Sequence, residues 1–562
     1  MERATDSTAG TASAEGRPVG DRPRRSRRRL VVLVLLALVV ALVVVTAWIG
    51  LRAFEAATSL RSVADDVRQV EADVRAGRTG GLPAAADRIQ RDAARAERAT
   101  SGPAWWIAER LPLVGVDAAA VRTVAAGVDR LASGALTPLA EVADSLDPSS
   151  LRPVDGRVDL APLVAAAPAL QSASAVAERV GRDVGALDPG ALHGPLVGPV
   201  VELQRGLSTA TSVLDTASRL ASALPPMLGA DGPRQYLTLF LNSGELRTQG
   251  GIVGAMALVT ADDGRLTLTD QASTRDLPRW SEPVLPLSDP ELAIGTDQLG
   301  RYIQNTVMLP ETPRVGELAA EMWRQATGQS VDGVVLVDPV ALAYVLDATG
   351  DVRHPDGDVL TPDTLVQTLL LDAYAEQSDP QESDAFFAAA ASATFEALAA
   401  GAGDPADLID ALMRATDERR LSVWSTHPEE QGLITGSAID GALLTGGHDG
   451  AVGVFLDNTS GWKTDTFLRS DVSVENARCD GGELTMDVAL TLTSTLPADA
   501  DDLPYYVVGD GSTGSRSAPS GCASRSTHRS TAPSRRSAAG RTSSAHRGRR
   551  SPAATSRSSP RR

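Results

Sequence analysis

QYLTLFLN (235–242), IVGAMALVTA (252–261) and RLTLTDQA (265–272) lie close together near the middle of a 562-residue chain, and they divide it. Each is short, rich in branched and aromatic residues and bounded by turn formers, a pattern that predicts β-strands. DDG (262–264) joins the second to the third as a hairpin turn would. Downstream, strand-like VDGVVLV (331–337), LSVWST (421–426), AVGVFLD (451–457) and TFLRSDVSVENA (466–477) are interleaved with helical windows at 315–327, 339–348, 361–376, 384–401 and 404–418. Strands mixed with helices predict an α/β or α+β domain over 232–464.

After a CDGGE turn (479–483), Leu484, Met486, Val488, Leu490 and Leu492 alternate as a half-buried strand should. A partial β module over 465–510 is therefore expected, with LPYYVVGDG reading as a further strand and turn. The pattern then breaks off. Residues 511–562 hold fifteen Ser and twelve Arg, with no acid, no branched apolar residue and no aromatic. Such a composition cannot bury a core, so the segment is expected to be disordered. Two origins fit it: a natural basic tail, or a reading-frame slip in GC-rich DNA. The slip explains better why the β module is cut short.

Upstream of Gly232 the periodicity is helical, with proline and glycine punctuating it, and 52–225 reads as an extracytoplasmic helical stalk or bundle. Leu60, Val63, Val67, Val70 and Val74 repeat at spacings of 3, 4, 3 and 4, which predicts an apolar seam with Val67 inside it and Asp66 outside. Pro83 suits the start of a second helix ending near Thr100. Trp105 and Trp106 read as core residues capping a helix rather than as ligand contacts.

Before the stalk stands LVVLVLLALVVALVVVTAWIGL (30–51), preceded by six arginines between Arg22 and Arg29. Twenty-two helical residues reach about 33 Å, enough for a hydrocarbon core of about 30 Å. A cleavable signal peptide would have a shorter apolar core of about 7–15 residues. The run is thus expected to be an uncleaved signal-anchor, a single transmembrane helix with its basic end in the cytoplasm and Trp48 at the outer interface. Residues 1–29 are expected to form a disordered cytoplasmic N-terminus. The expected placement is the cell membrane, with the bulk of the chain outside the cytoplasm.

Charge is segregated. Residues 1–29 carry +4 and residues 511–562 carry +12, which leaves −34 on 30–510. A body so acidic repels phosphate backbones and argues against nucleic acid as a partner. There are 52 arginines but one lysine, Lys463, a bias that GC-rich codons explain. Cys479 and Cys522 form no CxxC. His193, His354, His427 and His448 are scattered without metal-ligand spacing, and each reads as a loop or surface residue. No metal site and no cofactor are expected. GDGSTG (509–514) matches GxGxxG, but neither the following helix nor the downstream acid of a dinucleotide site is present.

The densest motif is NSGELRTQGGIVG (242–254), followed by VDGVVLVDPVALAYVLDATGDV (331–352). Asn242, Glu245, Leu246, Arg247, Gly250 and Gly251 match the N-x-x-E-[LM]-R-x-x-G-G core of the DUF4012 family of uncharacterised bacterial membrane-anchored proteins, which the chain resembles over roughly 100–510. Asp332, Gly333, Asp338, Pro339 and Gly350 fall in that family's second signature. Gln249 and Val253 depart from it. The layout is also distantly similar to the LytR-CpsA-Psr phosphotransferases, which attach lipid-linked polymers to peptidoglycan. That likeness implies arginines holding a pyrophosphate and carboxylates holding a divalent cation. Arg247, Arg275 and Asp276 are the catalytic candidates on that reading. On the plainer one, Glu245 and Arg247 form a structural charge pair, Gly250 and Gly251 serve a tight turn, Arg275 and Asp276 sit in a solvated loop, and Asp332 and Asp338 are loop or cap residues.

The expected whole is multi-domain, α and α/β: a single transmembrane helix, an extracytoplasmic helical bundle, a mixed α/β domain and a truncated β-rich C-terminal module. Two functions follow. The first is a non-catalytic cell-envelope interaction or scaffold protein, partnered by the bilayer and by cell-wall polymer or other envelope proteins. The second is a divalent-cation-dependent phosphotransferase acting on polyprenyl-linked cell-wall glycopolymer.

Overall fold

A helix of 52 residues, Arg24–Arg75, carries the apolar run and continues without a break into the stalk. At 1.5 Å per residue it is about 78 Å long. It is the one helix among the described residues that is long and apolar enough to cross a membrane, and its apolar stretch is exposed. The computed structural model describes residues 24–75, 78, 80–112, 114–142, 152–376, 380–443, 453–458, 462–480, 483–497, 503, 505–508 and 532–533. The glycine-rich motif at 509–514 and the Ser/Arg segment, apart from Ala532–Pro533, lie outside them, as do His448 and Cys522.

Leu82–Thr100 turns back along the first helix, with Pro83 in its first turn, where a missing N–H costs nothing. Its buried face is Ala85, Ala86, Ile89, Ala93 and Ala96. Small side chains let the two backbones approach Ala56, Ser59 and Val63. The expected seam needs correcting by one residue. Val63 is buried at 7%, but Val67 is 47% exposed. The contact runs through positions 56, 59, 63, 66 and 70 instead, and Asp66 meets Arg88 at 3.3 Å on its edge. The 3-4 repeat was read in the right period but the wrong phase.

Gly115–Leu131 passes through a widened turn, Ala132–Leu136, into Thr137–Glu141. Pro138 cannot bond the carbonyl four residues back, at Gly134, and Ser172 Oγ donates to that carbonyl instead at 3.3 Å. Ala161–Gly185 and Gly194–Met227 complete the bundle, and Gln204 of the latter donates to the last carbonyls, Val184 and Leu187, at 3.0 Å each.

The central sheet then forms: β1 (Arg234–Asn242), β2 (Ile252–Asp262), β3 (Arg265–Ser273), β4 (Gly333–Val337) and, after a small hairpin of β5 (Val352–Arg353) and β6 (Val359–Leu360), β7 (Leu421–Ser425). The strand order is β3-β2-β1-β4-β7, and only the β1–β4 pair is parallel. Leu237, Leu239 and Leu241 alternate to one face of β1, where Val315, Leu318, Met322 and Trp323 of helix Thr312–Thr327 cover them. Phe240 points to the other face, under helices Pro339–Thr349, Pro362–Gln367 with its continuation to Glu376, Pro380–Ala399 and Pro405–Asp417.

β8 (Leu468–Asp480) and β9 (Glu483–Ser494) pair antiparallel as expected. Two other strand expectations fail. Residues 453–458 are extended but join no sheet, and Tyr505–Val508 is a helical turn whose Val507 and Val508 are buried. At Val507 and Val508 the apolar run signals burial in a turn, while 453–458 is only partly covered; an apolar run alone does not distinguish a strand from a turn or loop.

Candidate functional site

β1 and β4 run parallel, so their carboxyl ends share one edge of the sheet, and the two signature motifs begin there. Asn242 ends β1, one residue after the β1–β2 register shifts at Phe240/Leu241. Its Oδ1 accepts from the Gly244 N–H at 2.9 Å, and its Nδ2 donates to the Tyr374 hydroxyl at 2.9 Å. Asp338 ends β4 and caps helix Pro339–Thr349: its Oδ1 accepts from the Ala341 N–H at 2.8 Å, and its Oδ2 receives Arg420 at 2.8 Å. Pro339 takes the first helical position, and Gly350 closes the helix at φ 93°, a conformation that favours glycine.

The chain after Asn242 makes a tight loop. The Ile252 N–H returns to the Glu245 carbonyl at 2.9 Å, and the Gly250 N–H to the Arg247 carbonyl at 2.8 Å. Gly250 has φ 112°. A Cβ on Gly251 would lie 2.4 Å from the carbonyl carbon and oxygen of Asn242, so only glycine fits. The two glycines do serve a turn.

A segment more than two hundred residues away closes over this loop. Asp457 accepts from the Thr248 N–H at 2.9 Å and from its hydroxyl at 3.1 Å. Asp465 accepts from the Leu246 N–H at 2.8 Å and from Asn458 Nδ2 at 2.6 Å. Arg247 is 8% exposed and donates to the carbonyls of Leu246 and Asn458. Its Nε is buried with no hydrogen-bond partner among the described residues. Lys463 is 3% exposed, donates to Glu245 Oε1 at 2.5 Å, and stands 4.2 Å above the Tyr374 ring. The expected Glu245–Arg247 pair is thereby corrected: Glu245 pairs with Lys463, and Arg247 holds main-chain carbonyls. Burial pulls Arg247 below its ordinary pKa against the charges of Glu245, Asp457 and Asp465. Burial likewise raises the Asp457 carboxyl, although the two bonds from Thr248 oppose the rise.

Beside this clasp lies an apolar cleft walled by Phe240, Leu342, Leu365, Leu369, Leu370 and Phe387, with Asn242, Asp338, Tyr374 and Thr394 as its polar groups. Its space is about 560 Å³ counting the open mouth, but only about 50 Å³ admits the centre of a water-sized sphere. A cleft at the carboxyl ends of parallel strands is where open α/β sheets bind ligands.

The three catalytic candidates are not assembled around it. Arg247 is turned into the clasp. Arg275 and Asp276 are exposed in the turn that ends β3, where the Ser273 N–H donates to Asp276 Oδ2 at 2.7 Å. Ser273 aligns with Ala255 and Ala255 with Phe240, so this turn shares the sheet edge with Asn242 but sits two strands away, about 10 Å across. None of the three lines the cleft. Among the described residues no three His, Cys, Asp or Glu side chains converge as metal ligands.

Asp332 and Gly333 stand at the opposite end of the sheet. Asp332 accepts from the Gln235 N–H and meets His427 Nε2, both at 2.8 Å, tying the starts of β1 and β4 to the end of β7. A Cβ on Gly333 would lie 2.5 Å from the Trp424 carbonyl oxygen. His354, read as a loop or surface residue, is in the loop between β5 and β6 but buried at 3%, with its ring 4.2 Å from that of Phe386. Trp105 is a core residue as expected, donating to the Ala118 carbonyl at 2.9 Å, but Trp106 is 57% exposed. Cys479 is exposed on β8.

Sequence reasoning missed Tyr374, Asp457, Asn458, Lys463 and Asp465. One signal was available for Lys463. In a chain that writes arginine 52 times, the single lysine stands out, and it is the residue buried against Glu245 and the Tyr374 ring.

The sheet, its covering helices and the clasp define an α/β head on a helical stalk. Residues 231–374 match the family described as a protein of unknown function, DUF4012. The matched stretch takes in the strands through β6 and ends on Tyr374. No curated protein matches the chain. Among solved structures, one described as the transcriptional regulator yvhJ from Bacillus subtilis aligns at 14% identity over 36% of this chain and 77% of its own, with a TM-score of 0.18.

Proposed function

We propose that this chain is a single-pass, membrane-anchored protein of the extracytoplasmic cell envelope whose head has a non-catalytic interaction or scaffold role. One observation carries the choice of a non-catalytic role: the motif side chains with reactive potential, Glu245 and Arg247, are consumed in holding the 457–465 segment. A pyrophosphate-binding arginine needs its guanidinium open to the ligand, and this one is buried against a carbonyl. The apolar run, its basic flank and the exposed apolar surface of the first helix support the anchor. Cell-wall polymer or other envelope proteins are the partners, and the −34 body argues against nucleic acid.

The second reading, a phosphotransferase acting on polyprenyl-linked glycopolymer, is favoured by the apolar cleft at the sheet edge. The test is direct. Full-length protein in vesicles is incubated with polyprenyl pyrophosphate, with and without magnesium, and phosphate release is followed. No release beyond the protein-free control is expected; cation-dependent release abolished by Arg275→Ala would reverse the assignment.

A further inference from the structure

The foot of the stalk carries an apolar surface that is exposed among the described residues. Helix Pro103–Ala108 and the turn after it expose Trp106 at 57%, Ile107 at 44%, Leu111 at 45%, Val114 at 48% and Val116 at 54%. Trp105 is buried beneath it and anchored through its indole N–H to the Ala118 carbonyl.

Its position relative to the first helix decides what meets it. A Cβ on Gly102 would lie 3.7 Å from the Trp48 ring, and Trp48, Arg52, Arg98, Gly102 and Trp105 surround one small cleft. Trp48 is within one turn of the end of the apolar run at Leu51. If that run crosses a bilayer, its outer end and the foot share one level, the boundary of hydrocarbon and headgroups. Leu51 and Phe54 add exposures of 66% and 67% at the same height.

The charges fit. Arg110 stacks on the Trp106 ring at 3.5 Å and Arg98 is exposed nearby, while Arg52, 5.7 Å over Trp48, is paired with Glu55 at 2.8 Å. Glu109 is neutralised by Arg122, and Asp117 is paired with His193. A cationic, aromatic patch on a body of −34 is suited to anionic phospholipid headgroups.

We propose that Trp106, Ile107, Leu111, Val114 and Val116 form a second membrane contact, a foot that enters the outer headgroup region beside the anchor helix and holds the stalk at a fixed angle. The proposal rests on the anchor reading given above. A lone helix leaves its ectodomain free to tilt, whereas two contacts side by side constrain it.

The test uses the full chain with Cys479→Ser and Cys522→Ser, carrying one new cysteine at Val39, Ile107 or Val213 and labelled with an environment-sensitive fluorophore. The protein is reconstituted in phosphatidylcholine–phosphatidylglycerol vesicles containing lipid quenchers placed shallow or deep. Val39 lies in the apolar run, and Val213 is 62% exposed well up helix Gly194–Met227. The expected result is loss of most emission at Val39 with deep quencher and at Ile107 with shallow quencher, and none at Val213. Quenching at Val39 while Ile107 behaves like Val213 would overturn the foot and leave the anchor standing. No quenching at Val39 would overturn the anchor and the foot with it. Equal quenching at Ile107 and Val213 would mean that the whole stalk lies on the bilayer, which also defeats the proposal.

Discussion

Replacing Lys463 with methionine should open the clasp while leaving the sheet intact. The lysine side chain is 3% exposed and that of Glu245 10%, so the pair is almost dry. Methionine keeps most of the stem and removes the ammonium, which strands a buried carboxylate and ends the contact with the Tyr374 ring. Removing one partner of a buried pair costs about 3–5 kcal/mol. Taking the lower figure, local opening becomes more frequent by roughly a hundredfold, at about 1.4 kcal/mol per factor of ten. The assay is amide hydrogen exchange at Leu246 and Thr248, whose N–H groups are held by Asp465 and Asp457. Leu237, in the middle of β1, should stay protected. Glu245→Gln combined with Lys463→Met should recover much of the loss, because no buried charge is left unpaired. Loss of less than about threefold in the single variant would show that the clasp does not depend on an ion pair of that size. A double variant no better than the single would show that the stranded carboxylate is not the cause.

Other consequences are smaller in scope. Gly251→Ala sets a methyl against the Asn242 backbone and should cost several kcal/mol, about the upper range for point changes, seen as a fall in Tm; a shift within error would mean that the loop can move aside. Val63→Asp should destabilise the stalk by several kcal/mol and Val67→Asp by about 0.5 or less, read by urea unfolding of the helical signal; equal effects would refute the corrected phase. Asp457 should titrate above 3.8 by carboxyl NMR. Its folded pKa is raised, so the folded state binds the extra proton, and its contribution to clasp stability improves as pH falls through that pKa. Glu418 has the opposite sign: bonds from Arg420, Tyr344 and Arg414 hold it at about 2, so its contribution is present above the usual glutamate pKa and fades toward pH 2. A midpoint for Asp457 below 3.8 would mean that the Thr248 bonds outweigh burial.

The strands and helices of the head were legible because their signals are local. Alternation in 235–242 placed Leu237, Leu239 and Leu241 on one face, and DPVAL carried its own N-cap and first-turn proline. The stalk seam was legible in period but not in phase, because alanine and serine at Ala56 and Ser59 carry the close approach and neither counts as strongly apolar. The site was the least legible part. The motif Glu245 and Arg247 could be read as a charge pair with each other because they are two residues apart. Their actual partners, Lys463 and Asn458, are more than two hundred residues downstream, between two stretches read as strands. Sequence spacing does not report on contacts of that kind.

The arrangement of stalk and head bears on what could reach the cleft. The turn between β2 and β3 rests on the end of the last stalk helix, with the Gly264 N–H on the Leu228 carbonyl at 2.8 Å and Arg157 paired to Asp263. The starts of β1, β4 and the end of β7 belong to that side, as Asp332 and Arg219 show through their bonds to the 427–435 segment. The cleft opens at the other end of β1, nine residues or about 30 Å further along the strand. The part of the first helix beyond the apolar run, Arg52 to Arg75, adds about 36 Å of stalk. Under the anchor reading the cleft therefore lies at the end of the sheet further from the stalk, and a lipid still seated in the membrane does not reach it. On the scaffold reading proposed above, an apolar group that enters it is presented from outside the membrane.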